Sequence, residues 1–517
     1  MQERVPRPET VTVTFTLNGQ TATAVAAPFA SLADTLRQEL GLTGTKIGCE
    51  AGDCGACTVL LDGEQVCACL IATAQANGTR IDTVEGAGPR GLTNRLRTAF
   101  LAHGAAQCGI CTPGMLMAAA DLLARAPSPD RGEVEDAIGG VLCRCTGYLK
   151  IVEAILDAGA GLGAELAEGH VSRAVLRQAQ DGDGGRGDAT FTPVVSPSNH
   201  GKVGVLRQAQ DCGSSHLLSA EPVAAQTVGA RLPRVDGWAK VAGTDRFGAD
   251  EAPAGALWMR VVRSPHARAR FTLGDLATVK ARTPELAAIL TAKDVPGENR
   301  FGVFPNTKDQ PVLAEDAVRF RGEAVLALVG TRQAVESISD ADLPITWTPE
   351  TPLSSIDDAL APATPAIHVG IPDNVLTRGN LACGDVGASH ARAAATAEGC
   401  FDTQFVEHAY IEPEAGHAVP VGAGRDLAPA RIEISACTQA PYMDLEETAR
   451  VLGVSPSRVR IRPTACGGGF GGKLDVSVQP LLAVAAWVTR RPVRIVYTRT
   501  ESMSSTTKRH PARIWAK

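Results

Sequence analysis

The sequence has no excess of positive charge: 50 Lys and Arg stand against 56 Asp and Glu, a net of −6 over 517 residues. That balance excludes the basic footprint of a nucleic-acid-binding protein. No apolar run reaches the ~18 residues needed for a membrane-spanning helix. Residues 1–9 are charged and contain proline, without the apolar core of a secretory leader, so the expected setting is cytoplasmic. Aromatic residues are scarce at 4%, whereas glycine supplies 53 positions, as tight turns or backbone held close to a ligand require. Cysteine is also infrequent. Fourteen residues fall far short of the ~8–10% of a disulfide scaffold.

What is there is unevenly placed. Nine of the fourteen cysteines lie between Cys49 and Cys145, and such clustering in a chain without a leader points to metal binding in a reducing compartment. The length suggests three to four domains of ~150 residues. Residues 11–17 alternate as a strand, Asn18-Gly19 signals a type I′ hairpin, and a second strand is expected over 21–26. Ser31 caps a helix that runs to about residue 40, with Gly41 as its stop. A further hairpin is expected from strands at 58–61 and 66–71. Together these predict a small β-grasp domain over 1–85. The period then becomes helical, with helices expected at 112–125, 133–142 and 148–158 in a domain of roughly four helices over 86–160.

Residues 161–232 read as a low-complexity linker in which VLRQAQD occurs at both 175–181 and 205–211. Its DGDGGRGD stretch lacks the Glu that a calcium loop needs at position twelve, since Thr192 stands there. Beyond it, buried strands are expected at 256–262, 324–329, 459–463 and 493–498, and helices at 445–452 and 476–489. This is mixed α/β material in two pieces, 233–350 and 375–517, with a break at 350–375. The fold class is therefore α+β and multidomain.

Two cysteine sets carry the chemistry. Cys49, Cys54, Cys57 and Cys69 are separated by four, two and eleven residues. The first three match a plant-type 2Fe–2S loop, and Gly48, Gly52 and Gly55 can bring backbone N–H groups to an anionic cluster. Zinc knuckles usually come as two pairs, which this spacing fits poorly. Cys67 receives no role. The second set pairs Cys108 and Cys111 with Cys143 and Cys145 across thirty-one residues, again suiting a small iron–sulfur cluster. A third feature, Gly467 to Lys473, reads GGGFGGK. It satisfies G-x-x-x-x-G-K, but Leu474 follows where a nucleotide-binding loop needs Ser or Thr for magnesium. The glycine run remains a platform for presenting N–H groups to an oxo ligand or phosphate, or simply a tight turn.

In this order, CEAGDCGACTVLLDG, QCGICTPGM, CRCTGY, HAYIEP and CGGGFGGK resemble the xanthine dehydrogenase and aldehyde oxidoreductase family of molybdenum hydroxylases. The resemblance implies a ferredoxin-like 2Fe–2S domain, a helical 2Fe–2S domain and a molybdopterin-binding region opened by a hammerhead-like domain. It implies that Cys49, Cys54, Cys57 and Cys69 hold an outer cluster and Cys108, Cys111, Cys143 and Cys145 an inner one. Gln107 would contact the pterin. Gln439 would hydrogen-bond an oxo ligand of molybdenum, with Phe470 and Gly471 beside the metal. His408–Pro413 matches a buried motif of the same region. The implied reaction is oxidative hydroxylation of a small aldehyde or N-heterocycle with water as oxygen source. Two electrons would leave one at a time through the clusters.

Three departures shape the expectation. No FAD domain stands between the helical domain and Arg234, so electrons would pass to an external acceptor or a separate flavin subunit; a homodimer is also compatible. Leu474 stands where purine-oxidising members carry Glu. The family's general-base Glu is not found before Lys517, so the chain is expected to be a front portion without turnover alone. The rival expectation is an electron-transfer iron–sulfur protein with a degenerate molybdopterin-binding remnant.

Overall fold

The computed structural model describes residues 10–88, 91–167, 234–304, 307–368, 370–422 and 428–517. The repeated VLRQAQD and the DGDGGRGD stretch lie outside the described residues.

Strands β1 (Val11–Leu17) and β2 (Gln20–Ala26) form the expected hairpin. Asn18 and Gly19 both adopt the positive φ that its turn requires. Ser31 Oγ accepts the Asp34 N–H at 3.1 Å, capping a helix α1 (Leu32–Asp34) that widens into a π-type turn over Thr35–Glu39. With β3 (Thr58–Leu61), β4 (Glu64–Cys67) and β5 (Arg80–Asp82), these strands make a sheet in the order β2-β1-β5-β3-β4. The pairing of β1 with β5 is parallel. The strand expected at 66–71 is cut short: β4 ends at Cys67 and Ala68–Leu70 turns as a 3-10 helix. Buried Ala68 donates to the Cys57 carbonyl at 3.3 Å, so the turn carries Cys69 back toward Cys57.

The helical domain has α2 (Leu92–His103), α3 (Thr112–Arg125), α4 (Arg131–Ile138) and α5 (Leu149–Ala167). Helix α3 is central: Thr112 to Leu123 are all buried, and its three consecutive alanines let neighbours approach. The helix expected at 133–142 is displaced. Asp130 caps α4 with Glu133 in a reciprocal capping box, and Gly139 ends it. Helix α5 runs past the expected end at 158 into the stretch assigned to the linker. Gly159 is a packing residue rather than a stop, since a Cβ there would meet Pro129, Pro127 and Leu123 at 3.0–3.2 Å.

The remaining elements are a short α6 (Gly237–Val241), then β6 (Leu257–Arg263), β7 (Ala269–Leu273), β8 (Leu286–Leu290), β9 (Ala317–Val318), β10 (Ala324–Gly330) and β11 (Ile345–Pro349). Strands β12 (Gly399–Asp402), β13 (Ala415–Val421) and β14 (Arg431–Ala436) follow. Next come α7 (Pro441–Leu452), β15 (Val459–Pro463), α8 (Val478–Thr489), β16 (Val493–Val496) and β17 (Arg513–Ala516). The two expected α/β pieces share a sheet. One seven-stranded sheet, β15-β14-β13-β16-β6-β10-β8, draws strands from both. They join where β16 pairs in parallel with β6, Val493 opposite Leu257 and Arg494 opposite Trp258. Helix α8 packs on this sheet and is buried from Val478 to Ala486. The segment between the pieces runs over the surface: among the described residues of 350–409 none is buried.

A buried ion triad ties the β-grasp domain to the rest. Asp250, with a side chain 1% exposed, pairs with Arg37 and Lys46 at 2.7 Å each. Burial alone would raise the Asp250 pKa, but Lys46 and Arg37 hold it below the usual carboxylate range. Burial pushes Lys46 down despite Asp250, because two cations share one carboxylate. Removing the carboxylate leaves both cations unpaired, so Asp250→Ala is expected to cost about 3–5 kcal/mol, read by denaturant unfolding. A second carboxyl has the opposite sign. Burial, with the like charge of Asp475 adding, raises Asp444 to about 7 against the hydrogen bonds of Thr438 and Gln479. Its contribution is full below the ordinary Asp value of about 3.9 and is lost as pH rises through about 7. Asp444→Asn is expected to flatten that fall in melting temperature, and an unchanged pH slope would contradict it.

Candidate metal and cofactor site

The first cysteine set occupies the loop between the π-type turn and β3. Positive φ at Glu50, Gly52 and Gly55 curls the backbone inward. The Cys49 sulfur accepts the N–H groups of Ala51 and Cys54 at 3.4 Å each. Gly48 leaves room for the Cys54 sulfur, which a Cβ would meet at 2.9 Å. The β3–β4 hairpin places Cys67 opposite Thr58 and so returns Cys69 to Cys57. Hydrogen bonds to Cys67 and Cys69 hold the Cys57 thiol far above the ordinary value, and those same bonds lower Cys69 to about 7 and Cys67 to about 6. Burial pushes Cys54 up to about 12. The thiols thus meet in two pairs, Cys49 with Cys54 and Cys57 with Cys69, and Cys67 is a fifth sulfur beside the second pair.

The second set is built by helix ends. Cys111 is the residue before α3, whose N-terminal N–H groups favour negative charge. Cys143 and Cys145 lie between α4 and α5. The Cys143 N–H donates to the Tyr148 hydroxyl at 2.9 Å, and its sulfur lies 3.1 Å from Thr146 Oγ1. A hydrogen bond to Cys143 raises the Cys111 thiol, and one to Cys145 lowers Cys108. These four sulfurs run in a chain, Cys108 to Cys145, Cys145 to Cys143 and Cys143 to Cys111. Among the described residues no three His, Cys, Asp or Glu side chains converge as they would on one ion. Paired thiols suit a two-iron cluster, in which each iron takes two. Every described cysteine is a free thiol.

The two sets touch through backbone. Leu142 N–H donates to the Cys54 carbonyl at 2.9 Å. A Cβ on Gly55 would strike the Gly140 carbonyl, and one on Gly114, in the first turn of α3, would strike the Gly55 carbonyl. Neither glycine is replaceable without parting the two loops.

The glycine platform lies between β15 and α8. Gly468, Phe470 and Gly471 all have positive φ, and the Phe470 ring is 47% exposed. Gln439, just after β14, locks the run: its Oε1 accepts the N–H groups of Gly471 at 3.1 Å and Lys473 at 3.2 Å. Two donors on one atom assign the amide orientation and leave the NH2 as a donor without a partner among the described residues. That is the chemistry needed to hold an oxo or carbonyl acceptor beside Phe470. Beneath the platform, a Cβ on Gly472 would meet Tyr410 at 2.7 Å and His408 at 3.0 Å. His408 carries an orphaned buried Nδ1, and its carbonyl accepts Arg144 Nε at 3.3 Å. Gly467 sits against Ile110, at 3.1 Å from an added Cβ, which brings the platform onto the Cys108–Cys111 loop. Gln107, exposed on the same loop, is held through its backbone carbonyl by Arg234 at 2.5 Å.

Glu412 organises this region, a role the sequence reading did not give it. Its carboxylate accepts Gly248 N–H at 3.0 Å, Gly467 N–H at 2.6 Å and the Lys473 ammonium at 2.8 Å, all buried. The lysine that suggested a nucleotide-binding loop is therefore turned inward. Leu474 is half-exposed, whereas Asp475 is buried and accepts from Gln310 at 2.8 Å. The missed signal was a lone carboxylate within the apolar run AYIEP.

Comparison with known proteins follows this geometry along the chain. Residues 15–80 match the family described as 2Fe-2S iron-sulfur cluster binding domain, and 83–156 the 2Fe-2S binding domain. Residues 242–343 match the aldehyde oxidase and xanthine dehydrogenase a/b hammerhead domain, and 367–517 the molybdopterin cofactor-binding domain. The aldehyde oxidoreductase of Megalodesulfovibrio gigas is 30% identical over 519 residues, covering 96% of this chain and 50% of that protein. The nicotine 6-hydroxylase small subunit of Paenarthrobacter nicotinovorans is 48% identical over 153 residues, 30% of this chain and 92% of that subunit. The solved aldehyde oxidoreductase from Desulfovibrio gigas superposes with a TM-score of 0.77 at 29% identity, over 97% of this chain and 51% of that one. The chain thus spans about half the length of the aldehyde oxidoreductases it matches.

Glu412→Ala leaves Lys473 as a buried uncompensated charge and is expected to cost about 3–5 kcal/mol. Glu412→Gln, which keeps two polar atoms in place, should cost less. Denaturant unfolding of both variants checks the order.

Proposed function

Because this chain belongs to the xanthine dehydrogenase and aldehyde oxidoreductase family of molybdenum hydroxylases, we propose that it binds molybdopterin at its glycine platform and conducts electrons from there through two 2Fe–2S clusters. Cys108, Cys111, Cys143 and Cys145 hold the inner cluster, and Cys49, Cys54, Cys57 and Cys69 the outer one. The observation that carries this reading is contiguity: Gly467 rests on Ile110, and Leu142 N–H reaches the Cys54 carbonyl. Platform, second cysteine set and first cysteine set therefore form one unbroken line.

The molybdenum cofactor supplies oxidation of a carbon centre with oxygen drawn from water. The chain's own residues position and screen. Gln439 offers its free NH2 to an acceptor at the metal, Phe470 and Gly471 wall the position, and Gln107 faces the pterin from the inner-cluster loop. Tyr410, buried and held by Glu414, backs the platform. The substrate is a small aldehyde or N-heterocycle. Apolar, half-exposed Leu474 and inward-turned Asp475 speak against a purine held by a carboxylate. Domain limits are placed at 1–85, 86–160, 233–350 and 375–517, with the linker beginning after α5. The electrons leave to an external acceptor or a separate flavin subunit, in the reducing setting of the cytoplasm. A homodimer is compatible with this arrangement. Among the described residues no helix is long and apolar enough to cross a membrane.

Anaerobically prepared protein is expected to be red-brown, to carry about four irons per chain and to give two distinct electron-spin signals on reduction. Cys111→Ser should remove one signal and Cys54→Ser the other. A colourless protein with zinc in place of iron would overturn the proposal.

A further inference from the structure

A cavity of about 240 Å³ lies where the first cysteine loop, the strand pair β6–β16 and the short helix Arg332–Ser337 meet, behind Glu412. Five cations line it: Arg37, Lys46, Arg332, Arg494 and Arg499. Three have carboxylate partners. Arg37 and Lys46 share Asp250, and Arg332 holds Asp34 at 3.0 Å and Glu336 at 2.8 Å. The other two do not. Arg494 donates to the Ala249 carbonyl at 3.2 Å, and Arg499 to the carbonyls of Gly48 at 2.8 Å and Ile411 at 2.5 Å. Among the described residues neither has an acidic side chain within ion-pair distance, and carbonyl oxygens orient a guanidinium without neutralising it.

The register of the joined sheet explains why Arg494 is there. Val493 and Ile495 point into the core, so Arg494 points the other way, directly opposite Trp258. Its guanidinium lies 4.3 Å from the Trp258 ring centre and that of Arg332 lies 5.0 Å from it. The Arg494 Nε is buried and orphaned. Burial and then repulsion from Arg37 and Arg332 push its pKa down to about 10. Glu50 and Glu412 also face the cavity. Glu412 is committed to Lys473. Five carboxylates, Asp34, Glu50, Asp250, Glu336 and Glu412, thus stand beside the five cations, and Arg494 and Arg499 are the two cations left unpaired around a volume that would hold several waters at ~30 Å³ each.

The geometry points to a binding site for a small dianion, of the phosphate or short dicarboxylate class, held by Arg494 and Arg499 beside the Cys49 loop. A doubly charged oxyanion accepts from planar guanidinium forks and relieves the mutual repulsion of the arginines. A monovalent chloride would do so less well.

Isothermal titration calorimetry of the full chain at constant ionic strength tests this, with inorganic phosphate in one arm and succinate in the other. One site per chain is expected, with a Kd of about 1 mM or tighter for at least one anion. The tighter arm assigns the class. Arg494→Met and Arg499→Met should each weaken it roughly tenfold, while Arg378→Met, on the exposed surface, should leave it unchanged. Circular dichroism establishes that each variant is folded. If Arg494→Met does not fold, Arg499→Met decides. Absence of heat from both anions, or wild-type affinity in the folded arginine variants, would overturn the site.

Discussion

The contact that the rest of the molecule depends on is the one between Gly55 and Gly140, where two loops from different domains meet with no side chain between them. Electron transfer falls steeply with distance, so a relay of two clusters works only if its loops lie backbone to backbone. The hydrogen bond from Leu142 to the Cys54 carbonyl turns that proximity into a fixed register. Gly114 extends the same constraint into the first turn of α3, so the helix carrying Cys111 at its start is seated directly on the loop that carries Cys54. Such sites are held by what is missing, since any Cβ would push the loops apart.

The opposite device governs the platform. There a single carboxylate, Glu412, gathers an ammonium and two backbone N–H groups from three separate segments. A buried carboxylate with every acceptor used is costly to disturb and therefore specifies one arrangement. The glycines allow the chain to bend, and Glu412 and Gln439 decide how. Asp250 plays the corresponding part at the join between the β-grasp domain and the sheet. All three are short polar bridges between segments remote in sequence.

Much of this was legible. The Asn18-Gly19 turn, the Ser31 cap and both cysteine spacings are local features, and each works through residues a few positions apart. Helix α3 was legible because Pro113 and an apolar stretch mark it. The rest was hidden because its partners are distant. Nothing near Val493 announces Leu257 across the sheet, so one sheet read as two pieces. The helix expected to end at 158 runs on because a glycine in the sequence does not reveal the Pro129 ring packed against it. Lys473 completed a nucleotide-loop pattern that Leu474 already argued against, but only the fold shows that Glu412, in another motif, holds it. Burial of charge is a tertiary property, which is why Asp250, Glu412 and Arg494 passed without notice.

The parallel pairing of β16 with β6 has a consequence for biogenesis. During synthesis β6 emerges more than two hundred residues before the strand that closes it. Until then β6 presents an open, apolar margin, the kind of surface on which nascent chains associate wrongly. Loop closure over that separation is also slow. Early emergence and late closure therefore leave this margin uncovered while more than two hundred residues are made.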